Sequence, residues 1–133
     1  MILVDTSILL DIVKYDPNWA LWSLGALNAA AGRDRLAVND IVYAEVSIGY
    51  DRIGEVDAMI AAIGLTVVPI PREALFAAGK AFQRYRRAGG TRTGVLPDFF
   101  IGAHAAAEGW PLLTRDATRV RTYFPKVQLI APP

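Results

Sequence analysis

A three-layer α/β/α sandwich around a five-stranded parallel sheet is the fold this sequence predicts, on three observations. Ile2-Leu3-Val4 is a continuous apolar run, the pattern of a strand buried on both faces. Such short runs alternate with segments of helical period along the whole chain, which implies parallel pairing through right-handed crossovers. The composition is 53% hydrophobic and only 20% charged, so either the sheet is covered on both faces or apolar surface meets a partner.

The elements follow in order. After the first strand, Ile8, Leu9 and Ile12 recur at helical spacing. Asp16-Pro17 reads as a cap and first helical position for a helix through Trp19, Trp22, Leu27 and Ala30, stopping near Gly32. Its apolar residues go nearly all round, so part of it, around Trp19 and Trp22, is expected either to pack in the core or to meet another chain. Leu36 to Val38 forms the second strand, and Asn39-Asp40 caps a helix from Ile41 to Gly49. Glu55 to Ile63 is a helix ended by Gly64, and Leu65 to Val68 a third strand closed by Pro69 and Pro71. Arg72 to Ala88 is a longer helix with Leu75, Ala78, Phe82 and Tyr85 on its apolar face and Gly89-Gly90 as its stop. Pro97-Asp98 opens a helix from Phe99 to Glu108. Pro111 to Leu113 is the fourth strand, a short helix runs through Val120 and Tyr123, and Val127 to Ile130 is the fifth strand. One domain over residues 1–133 is expected, with no linker or repeat to divide it.

Several classes of function are excluded or disfavoured. The chain has no cysteine and one histidine, which removes disulfides, thiolate metal sites and histidine-rich zinc sites. The net charge of +1 means that any nucleic-acid contact must come from a local basic region. One exists: Lys80, Arg84 and Arg87 fall at i, i+4 and i+7, and the span to Gly94 adds Arg86 and Arg92 without an acid. That stripe suits successive phosphates, or is the solvated face of an amphipathic helix. No basic segment precedes an apolar one at the start, and the uncharged run from Ala58 to Pro71 is short and broken by Gly64 and Pro69. A cytoplasmic protein without signal peptide or membrane span is expected.

Carboxylates remain as the chemistry. Asp5 and Asp116 each follow a buried strand at its carboxyl end, the edge where open α/β sheets bind ligands. Glu45 lies between Ile41 and Ile48 on the face of its helix expected to be buried, and Asp98 opens another helix near the same edge. Each of Asp5, Asp98 and Asp116 has an alternative as a helix cap, which is all that is expected of Asp11 and Asp40. Two carboxylates about 4 Å apart repel by roughly 4 kcal/mol at an effective dielectric near 20. A cluster of four therefore calls for a divalent cation, and all-oxygen ligation selects a hard one, Mg²⁺ or Mn²⁺. Thr6, Ser7 and Thr114 are placed to hydrogen-bond those carboxylates, or to act only in turns and caps. Arg115 is read as a phosphate contact or a surface ion pair. His104, among alanines, is read as a packed or partly exposed ring rather than a base.

Val4-Asp5-Thr6-Ser7, the mid-helix Glu45, Leu96-Pro97-Asp98 and Leu113-Thr114-Arg115-Asp116 together resemble the PIN-domain ribonucleases, specifically the VapC-type toxins of toxin–antitoxin pairs. The similarity spans the chain, with all four acidic positions occupied in order; the family often carries Asn where this chain has Ser7. The resemblance implies a Mg²⁺- or Mn²⁺-dependent endoribonuclease acting on structured RNA such as tRNA or ribosomal RNA, with Asp5 and Asp98 as first metal ligands and Asp116 and Glu45 completing the site. It also implies a homodimer and a VapB-type antitoxin, expected to lay an apolar segment near Trp19 and Trp22. The main rival is a PIN-like module that binds RNA or protein without cutting. A receiver domain would need an Asp after the third strand, where Val67-Val68-Pro69-Ile70 has none, and Gly79-Lys80 lacks the flanking residues of a phosphate-binding loop.

Overall fold

The computed structural model describes residues 1–133. Five strands, β1 (Ile2–Val4), β2 (Leu36–Asn39), β3 (Leu65–Val68), β4 (Leu112–Leu113) and β5 (Leu129–Ile130), form one sheet in the order β3-β2-β1-β4-β5, with every pairing parallel. The central position of β1 explains its unbroken apolar run: Ile2, Leu3 and Val4 are all buried, whereas Thr66 and Val67 on the edge strand β3 are exposed. Winding leaves β1 in one direction toward β3 and in the other toward β5, so the switch point lies between β1 and β4.

Seven helices complete the layers: α1 (Thr6–Val13), α2 (Ala20–Ala31), α3 (Asp40–Ser47), α4 (Ile53–Ile63), α5 (Arg72–Arg87), α6 (Leu96–Glu108) and α7 (Thr118–Tyr123). The main core gathers the strands with residues of α1 to α4, α6 and α7, among them Ile8, Leu9, Val42, Ile60, Ile101 and Val120. A smaller core lies between α5 and α6. There Ala74, Ala78 and Ala81 form a flat ridge that meets Val95, Phe99 and Ala103, and rings of Phe82, Tyr85, Tyr123 and Phe124 close around Phe99.

Several boundaries and faces differ from the sequence expectation. Residues 17–19 form a turn, and α2 begins only at Ala20. The Asp16 carboxylate still accepts from the amides of Asn18 and Trp19, both at 2.9 Å, so the capping chemistry is present one turn ahead of the helix. On α5 the buried face is the alanine ridge; Leu75 is exposed, because small side chains allow α5 and α6 to approach closely. Ile48 is 86% exposed and Val42 and Val46 are buried instead, which places Glu45 at a partly buried position. Asn39 alone caps α3, accepting from Ile41 and Val42 N–H groups, and Asp40 is already helical. α6 starts at Leu96, so Asp98 sits inside its first turn, and only Leu129 and Ile130 of the last expected strand pair.

Close packing at one glycine fixes the seat of α7. A Cβ on Gly102 of α6 would lie 2.7 Å from Cδ2 of Phe124, a contact that would push the ring and α7 outward. We expect Gly102→Ala to lower stability by about 1–2 kcal/mol despite the better helix former. Thermal unfolding checks this; an unchanged or raised midpoint would contradict the packing.

Candidate active site

The backbone brings two strand ends side by side. The Asp5 amide donates to the Leu113 carbonyl at 2.9 Å, so the residues following β1 and β4 face each other at the switch point. Asp5 holds the N-cap position of α1, yet its side chain caps nothing. Its Oδ2 instead accepts from Ser7 Oγ at 2.7 Å and from Thr114 Oγ1 at 2.8 Å. Thr6, in the first turn, donates through Oγ1 to Glu45 Oε1 at 2.7 Å and so links α1 to α3. Each of the three hydroxyls proposed from the sequence thus reaches a carboxylate.

Asp5, Glu45, Asp98 and Asp116 line one open cavity of about 270 Å³, together with Thr6, Ser7, Leu10 and Arg115. A narrower recess continues it, walled by Asp5, Asp98, Asp116, Thr114 and Arg119. A wider depression of about 740 Å³ at Arg72, Glu73 and Phe76 has only those three residues around it and no convergent polar set.

The acids feel their burial and one another. Burial pushes Asp5 up, against the lowering effect of the Ser7 and Thr114 hydroxyls. Burial also pushes Glu45 up; the Thr6 hydroxyl opposes this, and the charge of Asp5 adds to it. Asp98 is pushed up to about 6 by burial first and by the charge of Asp5 next, with Arg119 opposing and Glu45 and Asp116 adding smaller repulsions. Distant parts of the chain therefore interact electrostatically at this point.

No three acidic or histidine side chains stand together in metal-ligating positions. The donor chemistry nevertheless fits a hard divalent ion. All donors are oxygens, Glu45 Oε2 and Asp98 Oδ1 receive no protein hydrogen bond, and Mg²⁺ commonly keeps its waters and takes only one or two carboxylates.

Arg115 and Asp11 are a finding beyond the sequence reading. Asp11 is 2% exposed and is no cap. Its two oxygens accept from Arg115 Nε at 2.7 Å and Nη2 at 2.9 Å, and Ser23 Oγ donates to it at 2.7 Å. The Arg115 guanidinium also lies over the Trp19 ring, 5.5 Å from its centroid. This fork ties the loop after β4 to α1 and α2 while leaving Arg115 on the cavity wall. An acid amid the apolar residues of α1 was the available signal; its partner, far along the chain, was not legible. Arg119 was also missed. It pairs with Asp98 Oδ2 at 3.3 Å from the first turn of α7, just after the loop that carries Asp116.

Of the basic stripe, Lys80 lies over Phe76 and Arg86 over Phe82, while Arg84 and Arg87 are exposed on α5. Arg92 borders a groove that shares Asp116 and Arg119 with the acidic site. His104 is 1% exposed, stacked at an angle on Trp110, and far from acid–base work. Because Asn39 Oδ1 accepts two amides, its Nδ2 donates to His104 Nδ1 at 3.1 Å, which assigns the neutral Nε2–H tautomer. Burial lowers its pKa further.

Fold and site together define an α/β protein with an acidic pocket at the carboxyl edge of a parallel sheet. The chain belongs to the PIN domain family, whose profile matches residues 2–125. No curated protein matches it in sequence. Solved structures of similar fold include VapBC2 from Rickettsia felis bound to a DNA fragment from their promoter (TM-score 0.74, 19% identity, all of both chains). A toxin–antitoxin complex from Klebsiella pneumoniae has TM-score 0.70 and 22% identity, covering 100% of this chain and 98% of that one. VapBC-1 from nontypeable Haemophilus influenzae has TM-score 0.72 and 19% identity over 98% of each chain.

The raised Asp98 has a signed consequence for stability. Its native pKa of about 6 lies above the ordinary 3.8, so its favourable contribution is complete below about pH 4 and is lost as pH rises through about 6. In metal-free buffer, Asp98→Asn should raise the melting temperature by about 2–4 °C above pH 7, a modest gain because solvent screens a half-exposed group. At pH 4 the gain should vanish. A pH-independent difference, or a loss at neutral pH, would contradict the electrostatic picture.

Proposed function

We propose that this chain is a divalent-metal-dependent endoribonuclease of the VapC type, one nuclease domain acting as the toxic half of a toxin–antitoxin pair in the cytoplasm. The observation that carries the reading is the convergence of Asp5, Glu45, Asp98 and Asp116, from four separate places in the chain, on one cavity at the switch point. Family membership and the resemblance of the fold to VapBC complexes support it. No helix is long and apolar enough to cross a membrane.

Asp5 and Asp98 are the first ligands for Mg²⁺ or Mn²⁺, with Glu45 and Asp116 completing the charge around it. The chemistry such an ion supplies is activation of water and neutralisation of phosphate charge. The chain's own groups do the rest. Ser7 and Thr114 hold one oxygen of Asp5 and thereby aim the other, and Thr6 does the same for Glu45. Arg115, anchored by Asp11, sets a fixed positive edge on the cavity where an RNA phosphate would lie. Structured RNA such as tRNA or ribosomal RNA is the substrate class.

For the partner, the most exposed apolar residues of α2 are not the two tryptophans. Trp22 packs against the core and Trp19 is partly covered, whereas Leu21 is 88% and Leu24 43% exposed on the same helix. We place the VapB-type antitoxin's apolar segment, or the homodimer contact, on Leu21 and Leu24.

With Mg²⁺ or Mn²⁺ present, the purified chain should cleave RNA; EDTA should stop it, and Asp5→Asn should reduce the rate by at least about 100-fold without loss of folding. No cleavage by the parent chain with either ion present would favour a binding module, and metal-independent cleavage, or an unaffected Asp5→Asn, would overturn the metal-dependent acidic site.

A further inference from the structure

Beside the acidic cavity runs the groove that Arg92 borders, with a volume of about 370 Å³. It lies between the loop after α5 and the outer side of α7, and it shares Asp116 and Arg119 with the site. Its remaining walls carry Arg92, the hydroxyl residues Thr118 and Thr122, and Tyr85. The volume falls within the range of small-ligand sites.

Tyr85 is the common support of both arginines. The Arg119 guanidinium lies over its ring, 6.0 Å from the centroid, and the Arg92 amide donates to its hydroxyl at 3.2 Å. The loop must lie flat on that ring, because a Cβ on Gly90 would fall 2.4 Å from ring carbon Cζ. The 89–94 segment is therefore templated by an aromatic ring that itself belongs to the smaller core.

The two cavity arginines differ in what they have left to offer. Arg115 spends a planar fork on a buried carboxylate. Arg119 makes one long contact of 3.3 Å to Asp98, and its buried Nε has no partner. Stacking fixes its plane without using its N–H groups, so it keeps free donors between the acids and the groove. The Arg92 side chain is exposed and has no protein partner. A polyanion approaching four carboxylates requires cations at the entrance, and these two are placed there.

We propose that this groove seats the nucleotide flanking the scissile phosphodiester, with Arg119 and Arg92 as the residues that bind its phosphates. The proposal rests on the nuclease reading and specifies on which side of the acidic cavity the RNA strand leaves. Arg119 would exchange its weak contact with Asp98 for a phosphate, coupling substrate arrival to release of that carboxylate.

The test uses the full chain carrying Asp5→Asn, so that RNA is bound and not cut. The probe is a fluorescein-labelled single-stranded RNA of mixed sequence, about 20 nucleotides long, titrated by anisotropy between about 50 and 300 mM KCl. Arg119→Gln and Arg92→Gln should each weaken binding about three- to tenfold and reduce the slope of log affinity against log salt by about 0.7, the signature of one lost phosphate contact. Arg119→Lys should restore the slope, and Arg33→Gln, outside both the groove and the cavity, should change nothing. If Arg119→Gln proves unfolded, Arg92→Gln and the exposed Thr122→Glu decide: both should weaken binding. Unchanged slopes with intact RNA binding would overturn the subsite and leave the nuclease reading standing. Failure of the Asp5→Asn parent to bind either this strand or folded tRNA at any salt would overturn both.

Discussion

Like charges held close together are the constraint on which the rest of this structure depends. Asp5, Glu45, Asp98 and Asp116 come from β1, α3, α6 and the end of β4, and each is brought to the switch point by an element whose other face is core. The crowding costs energy that the apolar sheet must offset, since Asp5, Glu45 and Asp98 would be better solvated elsewhere. Short hydroxyl bonds hold two of the four. Thr114 reaches Asp5 across 109 positions of sequence, and Thr6 reaches Glu45 across 39. These bonds are stronger to ionised than to neutral partners, so they aim Asp5 and Glu45 and oppose the upward push of burial on both.

The cations around the pocket are graded by how firmly they are held. Arg115 is locked, with Asp11 buried beneath it and Ser23 completing that carboxylate's hydrogen bonds. Removing Arg115 would strand the buried Asp11 charge, a loss of about 3–5 kcal/mol in comparable pairs. Arg119 is held by one longer ion pair and an aromatic face, and Arg92 by its backbone alone. A rigid inner cation and progressively freer outer ones suit a site that must admit a polyanion without collapsing onto its own acids.

Much of this was legible in the sequence, for physical reasons that also explain the failures. The strands stood out as short, mostly apolar runs, because a sheet covered on both faces buries its central strands, and Gly64 and Pro69 punctuate the chain where elements stop. The four acids stood out because each broke an apolar context next to a strand end or on a helix expected to be packed. Glu45 was found for a partly wrong reason: Ile48, taken as its buried neighbour, points outward, and the carboxylate is held instead by Thr6. The face of α5 was misjudged because periodicity ranks Leu75 above alanine, while helix–helix contact at this site selects the smallest side chains. Asp11 with Arg115, and Asp98 with Arg119, depend on contacts between segments far apart in the chain, and no local pattern encodes them.

On the proposed function, these carboxylates tolerate one another through a shared hard cation. Calorimetric titration of the intact chain with Mn²⁺ or Mg²⁺, in buffers of different ionisation heat, tests it most directly. We expect saturable uptake that releases a larger fraction of a proton per ion near pH 6, where Asp98 is partly protonated, than at pH 8. Absence of uptake at both pH values, or uptake unchanged when Asp5 and Asp98 are both replaced by Asn, would contradict it.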